Sequence, residues 1–258
     1  MLSKLKSFLD DNVTIYNNNQ FIINDPVSIP HKFSRKEDIE ISGFLTALIS
    51  WGNRPAILKS AQALMNMMGN QPYDFITSIE DNDLKPFTEF YYRTFNASDL
   101  LFLVEALKHI YVEKGGLEAV ANHYYGQTGD IKGLITGLRE ELLNAPHLPR
   151  SEKHLANPAK GSAAKRINMF LRWMVRNDNK GVDFGLWRRI PASALMIPLD
   201  LHTGRVARQL GLLQRKQDDW KAVEELTAVL RKFDQEDPVK YDYALFGMGI
   251  SGLSISIK

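Results

Sequence analysis

Apolar residues recur along most of the chain three or four positions apart, which is the spacing of one helical face. The clearest example follows Ser34, where Ile41, Leu45 and Leu48 fall in phase. Similar runs, most of them closed by glycine, predict helices over residues 56–68, 100–114, 117–125 and 130–144. The alternation typical of strands is confined to residues 21–23 and 251–257. The pattern therefore predicts an all-α fold.

Short polar residues predict where these helices begin. Ser34 and Glu37 have the spacing of a capping box, and Ser98 is expected to cap the helix that follows it. The helix after Ser34 is expected to end near Trp51, because Gly52 opposes its continuation. Trp51 thus lies at a helix end, where functional residues are often found.

The composition narrows the possible classes of function. A chain of 258 residues with 44% hydrophobic content can bury a sizeable core. It has no cysteine, which excludes disulfides, thiolate nucleophiles and iron–sulfur clusters, and its six histidines lack the spacing of a metal site. We therefore expect neither a metal nor a cofactor. No apolar run has the length of a membrane span, and the N-terminus lacks a signal-like core, so we expect a soluble, cytoplasmic protein.

The charge is unevenly distributed. The net charge is +2, yet residues 150–189 contain ten lysines and arginines against three acids, a local net of +7. Such asymmetry is typical of a face that meets a polyanion, although a solvated surface gives the same count.

Residues 161–212 place two chemically useful side chains at helix starts. Small residues precede Lys165, and the helix that begins there is amphipathic. A helix N-terminus is a natural phosphate site, and its positive dipole favours the free amine that a Schiff-base lysine needs. Asp200 precedes a second helix. Considered alone, Asp200 is a helix cap and Lys165 an ordinary surface lysine.

A family resemblance favours the catalytic interpretation. The run Asp200-Leu201-His202-Thr203-Gly204-Arg205-Val206 resembles the Asp-x-His-x-x-Arg-Val element of the helix-hairpin-helix DNA glycosylases typified by endonuclease III. In that superfamily the aspartate is the catalytic carboxylate, which corresponds to Asp200. Its lyase members carry a lysine nucleophile one hairpin and one helix earlier, which corresponds to Lys165.

The resemblance extends to most of the chain in a weaker form. Residues 41–54 are similar to the start of the glycosylase barrel and residues 223–246 to its closing helices. The whole chain resembles an uncharacterised bacterial family related to these glycosylases, in phrases such as Trp51-Gly52-Asn53-Arg54. The resemblance implies a two-lobed fold with the active-site cleft between the lobes. One lobe comprises residues 34–176 with the hairpin, and the other comprises residues 1–33 and 200–258.

Two departures distinguish this chain from that pattern. The usual hairpin reads Leu-Pro-Gly-x-Gly-x-Lys, whereas here Gly161 is followed at the second glycine position by Ala163. This change bears on whether the hairpin binds phosphate or a monovalent cation. Lys165 and Asp200 are also 35 residues apart, because the chain contains an insertion around residues 177–189. The insertion resembles the archaeal branch that excises oxidised guanine, and we expect it to influence substrate preference.

The resemblance implies a reaction and its contacts. A damaged base, expected to be an oxidised purine, is flipped from double-stranded DNA and stacked on an aromatic ring. Lys165 attacks the sugar C1′ as the base leaves, and Asp200 stabilises the positive charge that develops. Trp51 and Trp187, with Trp173, are the candidate stacking residues. The expected DNA contacts are Gly161, Ser162, Ala163, Arg166 and Arg205.

Three hypotheses remain from the sequence. The first is a DNA glycosylase with lyase activity that acts as a monomer at the bacterial nucleoid. The second is a non-catalytic protein that binds damaged or distorted DNA on the same scaffold, which the change at Ala163 favours. The third is a helical protein unrelated to DNA, and it leaves the Asp200 to Val206 match unexplained.

Overall fold

The computed structural model describes residues 2–251, and this part of the chain is mostly helical. The all-α prediction is therefore confirmed at the level of fold class. The α-helices are α1 Leu2–Tyr16, α2 Asn19–Ile23, α3 Lys36–Leu48, α4 Arg54–Met67, α5 Pro72–Ser78, α6 Ala97–Glu113, α7 Leu117–Thr128, α8 Ile131–Leu143, α9 Lys165–Val175, α10 Leu201–Gln209, α11 Trp220–Arg231 and α12 Tyr241–Ser251.

The strand predictions were wrong where the structure tests them. Residues 21–23 belong to α2, and Ser251 ends α12, while residues 252–257 lie outside the described part. A short hairpin was missed instead: β1 Tyr91–Tyr92 pairs antiparallel with β2 Phe95–Asn96. Its two-residue connection includes Arg93 at φ +56°, a left-handed conformation that the sequence did not indicate.

Helix starts were predicted with mixed success. Asp130 accepts a hydrogen bond from the Gly133 amide at 2.6 Å, as its position suggested. Helix α3, however, begins after Arg35 without a side-chain cap, so the predicted capping box at Ser34 was wrong. The cap of α6 is Asn96 rather than Ser98, with Asp99 completing a reciprocal pair. Each polar run offered several possible caps, and packing of the following helix selected one.

The chain forms two compact units, and unit 2 comprises residues 24–157. Its central helix is α3, which is buried from Ile39 to its end. Helices α4 and α5 pack against it, as do the short 3-10 turns Pro26–Ser28 and Pro30–Lys32. Residues 24–33 therefore belong with α3, whereas the prediction assigned them to the other lobe.

Unit 1 comprises residues 1–23 and 158–258. Its central helix is α12, against which α1 and α10 pack closely. A methyl group on Gly247 would lie 2.3 Å from the Tyr16 ring, and one on Gly249 would lie 2.8 Å from the Cβ of His202. The two glycines thus permit the close approach of both neighbouring helices.

The hairpin before Lys165 belongs to unit 1, which differs from the predicted division of the chain. Its backbone explains why. The Gly161 carbonyl accepts a hydrogen bond from the Trp220 amide at 2.9 Å, and Ser162 forms an isolated bridge with Asp219. The hairpin is thereby joined to the start of α11. None of the helices in residues 2–251 combines the length and the apolar character that crossing a bilayer requires.

Candidate functional site

The turn that leads into α9 is held by the chain's own donors and acceptors. Gly161 has φ +90°, a conformation that favours glycine, and Ala164 has φ +48° as the N-cap residue. The Ser162 hydroxyl accepts a hydrogen bond from the Ala164 amide at 3.2 Å. The Asn168 side chain donates to the Ala163 carbonyl at 3.2 Å. The altered hairpin is therefore a closed turn in which the Ala163 carbonyl already has a partner.

Lys165 is the first residue of α9 and is half-buried. Its predicted place at a helix start is confirmed. Gly161 and Ser162 are exposed before it, and Ala163 is half-buried. Lys165 therefore follows an exposed hairpin directly in the chain.

Asp200 caps α10, as predicted. Its Oδ1 atom accepts a hydrogen bond from the Thr203 amide at 2.9 Å, and its backbone is extended. The side chain is only half-buried. Within residues 2–251 the second carboxylate oxygen has no hydrogen bond, so one oxygen caps the helix while the other can serve a ligand.

The charges of Lys165 and Asp200 both influence the pKa of a buried third residue, Asp242 of α12. Burial raises the pKa of Asp242 to about 6, Asp200 adds to the rise, and Arg172 and Lys165 oppose it. Thr203, whose amide Asp200 caps, also places its hydroxyl 3.5 Å from Asp242 Oδ1. The starts of α9, α10 and α12 therefore bring an ammonium and two carboxylates into one electrostatic cluster.

Sequence reasoning missed Asp242. The available signal was an acid inside the otherwise apolar run from Tyr241 to Phe246, which forms a buried helix. Its partner explains how the charge is tolerated, because Arg172 donates a short hydrogen bond to Asp242 Oδ2.

Arg172 belongs to a larger buried network. Asp183 accepts hydrogen bonds from Arg172 at 3.3 Å and from Arg176 at 3.0 Å, and Asp237 also binds Arg176. Burial alone lowers the pKa of both arginines, but the neighbouring carboxylates outweigh burial and raise it above its usual value. These two cations are neutralised inside unit 1, so the local charge of +7 does not all reach the surface.

The two arginines expected to bind phosphate are engaged by the protein. Arg166 is largely buried, and burial lowers its pKa to about 10. Arg205 is exposed, yet it donates a hydrogen bond to the Gly249 carbonyl at 2.7 Å and so ties α10 to the end of α12. Burial thus limits access to Arg166, and the Gly249 carbonyl occupies one nitrogen of the exposed Arg205 guanidinium.

The tryptophan candidates have different environments. Trp187 and Trp173 are fully buried in unit 1, and Trp187 packs edge-on against Phe170 at 5.4 Å between ring centroids. Because both rings are buried, neither is accessible for stacking on a base. Sequence analysis proposed them from their neighbours in the chain, which do not reveal burial. Trp51 belongs to unit 2, where it is half-buried between Tyr92 and His154. It keeps the partial exposure that a stacking residue needs.

His202 adds a polar atom without a partner. Its Nδ1 is buried and makes no hydrogen bond within residues 2–251, while its ring lies edge-on to Phe246 at 6.3 Å between centroids. In the same part of the chain, no group of three or more histidine, aspartate or glutamate side chains is arranged to hold a metal ion.

Comparison with known families finds a match over residues 25–251, to a family described as Protein of unknown function (DUF2400). Curated proteins and solved structures give no match.

Proposed function

The chain belongs to the DUF2400 family, whose description assigns no activity, and from its site we propose a DNA glycosylase with associated lyase activity. One observation carries the proposal: Lys165 begins α9, and Asp200 caps α10 through Thr203, whose hydroxyl lies 3.5 Å from the buried Asp242 carboxyl. The charges of Lys165 and Asp200 both influence the pKa of that carboxyl. Removal of a base through a Schiff base requires an amine nucleophile and a carboxylate that serve the same substrate. The resemblance of residues 200–206 to the glycosylase element supports the same reaction.

Lys165 is the proposed nucleophile. Its amine forms a bond to the sugar C1′ while the glycosidic bond breaks, and the base leaves with the electron pair of that bond and takes up a proton. Opening of the sugar ring then gives an iminium between Lys165 and C1′, and elimination from this species can nick the strand.

Asp200 is the proposed electrostatic partner. The sugar develops positive charge as the base departs, and a fixed carboxylate stabilises that charge. Asp200 is fixed because its Oδ1 caps α10, which leaves its other oxygen for the substrate. No cofactor is needed for this chemistry, since the lysine amine is itself the nucleophile that bonds to the electrophilic C1′.

The proposed substrate is double-stranded DNA with a damaged base, an oxidised purine. On this proposal the first turn of α9, which begins at Lys165, lies next to the phosphate of the reacting sugar. Trp187 is fully buried and is not a stacking residue on this proposal. On this proposal the protein acts as a monomer at the bacterial nucleoid.

Borohydride trapping tests the proposal. Duplexes with a panel of lesions are incubated with the wild type, with Lys165→Gln and with Lys232→Gln, an exposed lysine of the same unit. We expect a covalent adduct with the wild type and with Lys232→Gln but not with Lys165→Gln. Equal trapping by Lys165→Gln, or no adduct with any lesion, would overturn the lyase assignment.

Binding and base-release measurements on the same duplexes separate the second candidate, a non-catalytic binder of damaged DNA. Such a protein would bind an abasic duplex tightly and in a salt-sensitive manner, yet release no base even with the protein in large excess. Affinity no greater than that of an unrelated protein of similar net charge would reject both DNA hypotheses.

A further inference from the structure

Residues 177–190, here called the strap, follow α9 without regular structure but are firmly fixed to it. The Phe184 amide donates a hydrogen bond to the Trp173 carbonyl at 2.8 Å, and the Trp187 amide donates to Met174 at 2.9 Å. The Trp187 side chain is completely buried below the strap. The strap is therefore attached to α9 by its backbone and anchored by a buried side chain.

The acidic residues of the strap turn inward. Asp183 is buried and shared between Arg172 and Arg176. Asp178 accepts hydrogen bonds from Arg176 at 2.8 Å and from the side chain of Asn17. Both carboxylates are thus neutralised by groups beneath the strap and contribute no negative charge to its outer surface.

The outer surface of the strap is positively charged. Its charged exposed residues are Lys180, Arg188 and Arg189, and no acidic residue of the strap is exposed with them. Within residues 2–251 the side chains of Arg188 and Arg189 have no ion pair and no hydrogen bond. Other arginines of unit 1 do bind the protein, and these include Arg172, Arg176, Arg205, Arg208, Arg215 and Arg231.

A surface whose basic side chains are exposed and whose acidic side chains turn inward fits a polyanionic ligand. A guanidinium presents paired donors that match two phosphate oxygens, and a rigid strap avoids the cost of ordering the loop on binding. Three exposed cations on one short segment match a polymer that carries repeated phosphates better than a ligand with a single one. We infer that the strap contacts the phosphate backbone of duplex DNA through Arg188, Arg189 and Lys180.

The inference rests on the proposed function for the identity of the polymer, and it changes which residues bind it. Arg166 and Arg205, which sequence reasoning assigned to phosphates, are held by burial and by Gly249. Arg188 and Arg189 take that role in the same unit as Lys165 and Asp200.

The test measures binding to an abasic duplex over a series of KCl concentrations. It compares the full-length wild type with Arg188→Gln/Arg189→Gln and with Lys4→Gln/Lys232→Gln, which removes the same charge from exposed positions of unit 1. We expect the arginine pair to weaken binding about tenfold and to reduce the slope of log affinity against log salt by up to about 1.8. The lysine pair should bind within about twofold of the wild type, since it removes no direct phosphate contact.

The outcomes separate this inference from the proposed function. If the wild type does not bind duplex DNA, the proposed function fails. If the wild type binds and traps lesions but both double variants lose the same affinity, only the strap assignment is overturned. Binding to anionic phosphatidylserine vesicles that depends on Arg188 and Arg189, with DNA binding unchanged, would also overturn it. Because the altered side chains are exposed, unchanged thermal unfolding is the expected control result.

Discussion

At the scale of single residues, Asp200 has two roles that one substitution can separate. Asparagine caps helices about as well as aspartate but carries no charge. Asp200→Asn should therefore lower the free energy of unfolding by no more than about 1 kcal/mol, the size of a lost charge–dipole interaction. Base release should fall about 100-fold or more if the carboxylate stabilises the transition state. Urea unfolding and single-turnover base release measure the two effects.

A matched cap substitution completes this prediction. Asp130 caps α8 in unit 2 through the Gly133 amide. Asp130→Asn should change stability by a similar amount and leave base release unchanged. An Asp200→Asn variant that kept full activity would show that Asp200 is a structural cap and nothing more.

Asp242 predicts a second effect at this scale, on the pH dependence of stability. Burial raises its pKa from an ordinary 3.8 to about 6, so the folded state binds this proton more tightly than the unfolded state. For a carboxyl shifted upward, stability is retained below the unfolded pKa and is lost as the pH rises through the folded pKa. Asp242→Asn mimics the protonated form. Its free energy of unfolding should therefore rise relative to the wild type by roughly 3 kcal/mol between pH 3.5 and 7.

Urea unfolding of both proteins at several pH values checks this prediction. A difference between wild type and Asp242→Asn that stayed constant from pH 3.5 to 7 would contradict it. So would a wild type that gained stability over Asp242→Asn as the pH rose, because the ion pair with Arg172 would then outweigh burial.

These two aspartates also show what sequence can predict about a site. The cap at Asp200 depends on an amide three residues away, so local pattern was sufficient. The burial of Asp242 depends on packing of α12 against α10 and on Arg172, which is 70 residues distant. Periodicity carries no information about such a partner, and the acid therefore remained inside an apolar run without an assigned role.

At the scale of elements, the attachment of the strap depends on one buried acid. Asp183 is shared by two buried arginines, so Asp183→Asn leaves both with less compensation in a desolvated place. Removal of one partner from a buried ion pair costs about 3 kcal/mol or more. Asp218→Asn is the matched control, because Asp218 pairs with Arg208 at the surface. That variant should lose less than about 1 kcal/mol.

Urea unfolding again provides the measurement. Equal losses for the two variants would mean that the buried network does not hold the strap. A loss confined to Asp183→Asn, together with weaker DNA binding at constant Lys165 trapping, would connect the order of the strap with its contact surface.

The strap is also the element for which sequence reasoning was least complete. The insertion was expected to carry Trp187 as a stacking residue. The structure buries the tryptophan and exposes the arginines. An irregular segment has no periodicity that distinguishes its inner from its outer face. Asp237 and Asp242, which complete the network below it, come 47 residues or more after the strap ends. Its location was therefore predictable, but its orientation was not.

At the scale of the whole molecule, the order of the chain determines which part can fold independently. Unit 2 is one continuous segment, residues 24–157, with α3 buried at its centre. Unit 1 needs both ends of the chain. Leu9 of α1 is completely buried, and Asp10 accepts a hydrogen bond from the Tyr241 hydroxyl at 3.0 Å. The predicted division missed this asymmetry, because the hairpin's bonds to Trp220 and Asp219 span about 60 residues.

Fragments test this asymmetry. Residues 24–157 alone should give a helical circular dichroism spectrum and a cooperative urea transition, since the core of that unit is complete. Residues 158–258 alone should not, because loss of α1 uncovers an apolar face of α12. Adding residues 1–23 through a flexible linker should restore the transition. If residues 158–258 unfolded cooperatively without α1, the N-terminal helix would be an accessory to unit 1 and not part of its core.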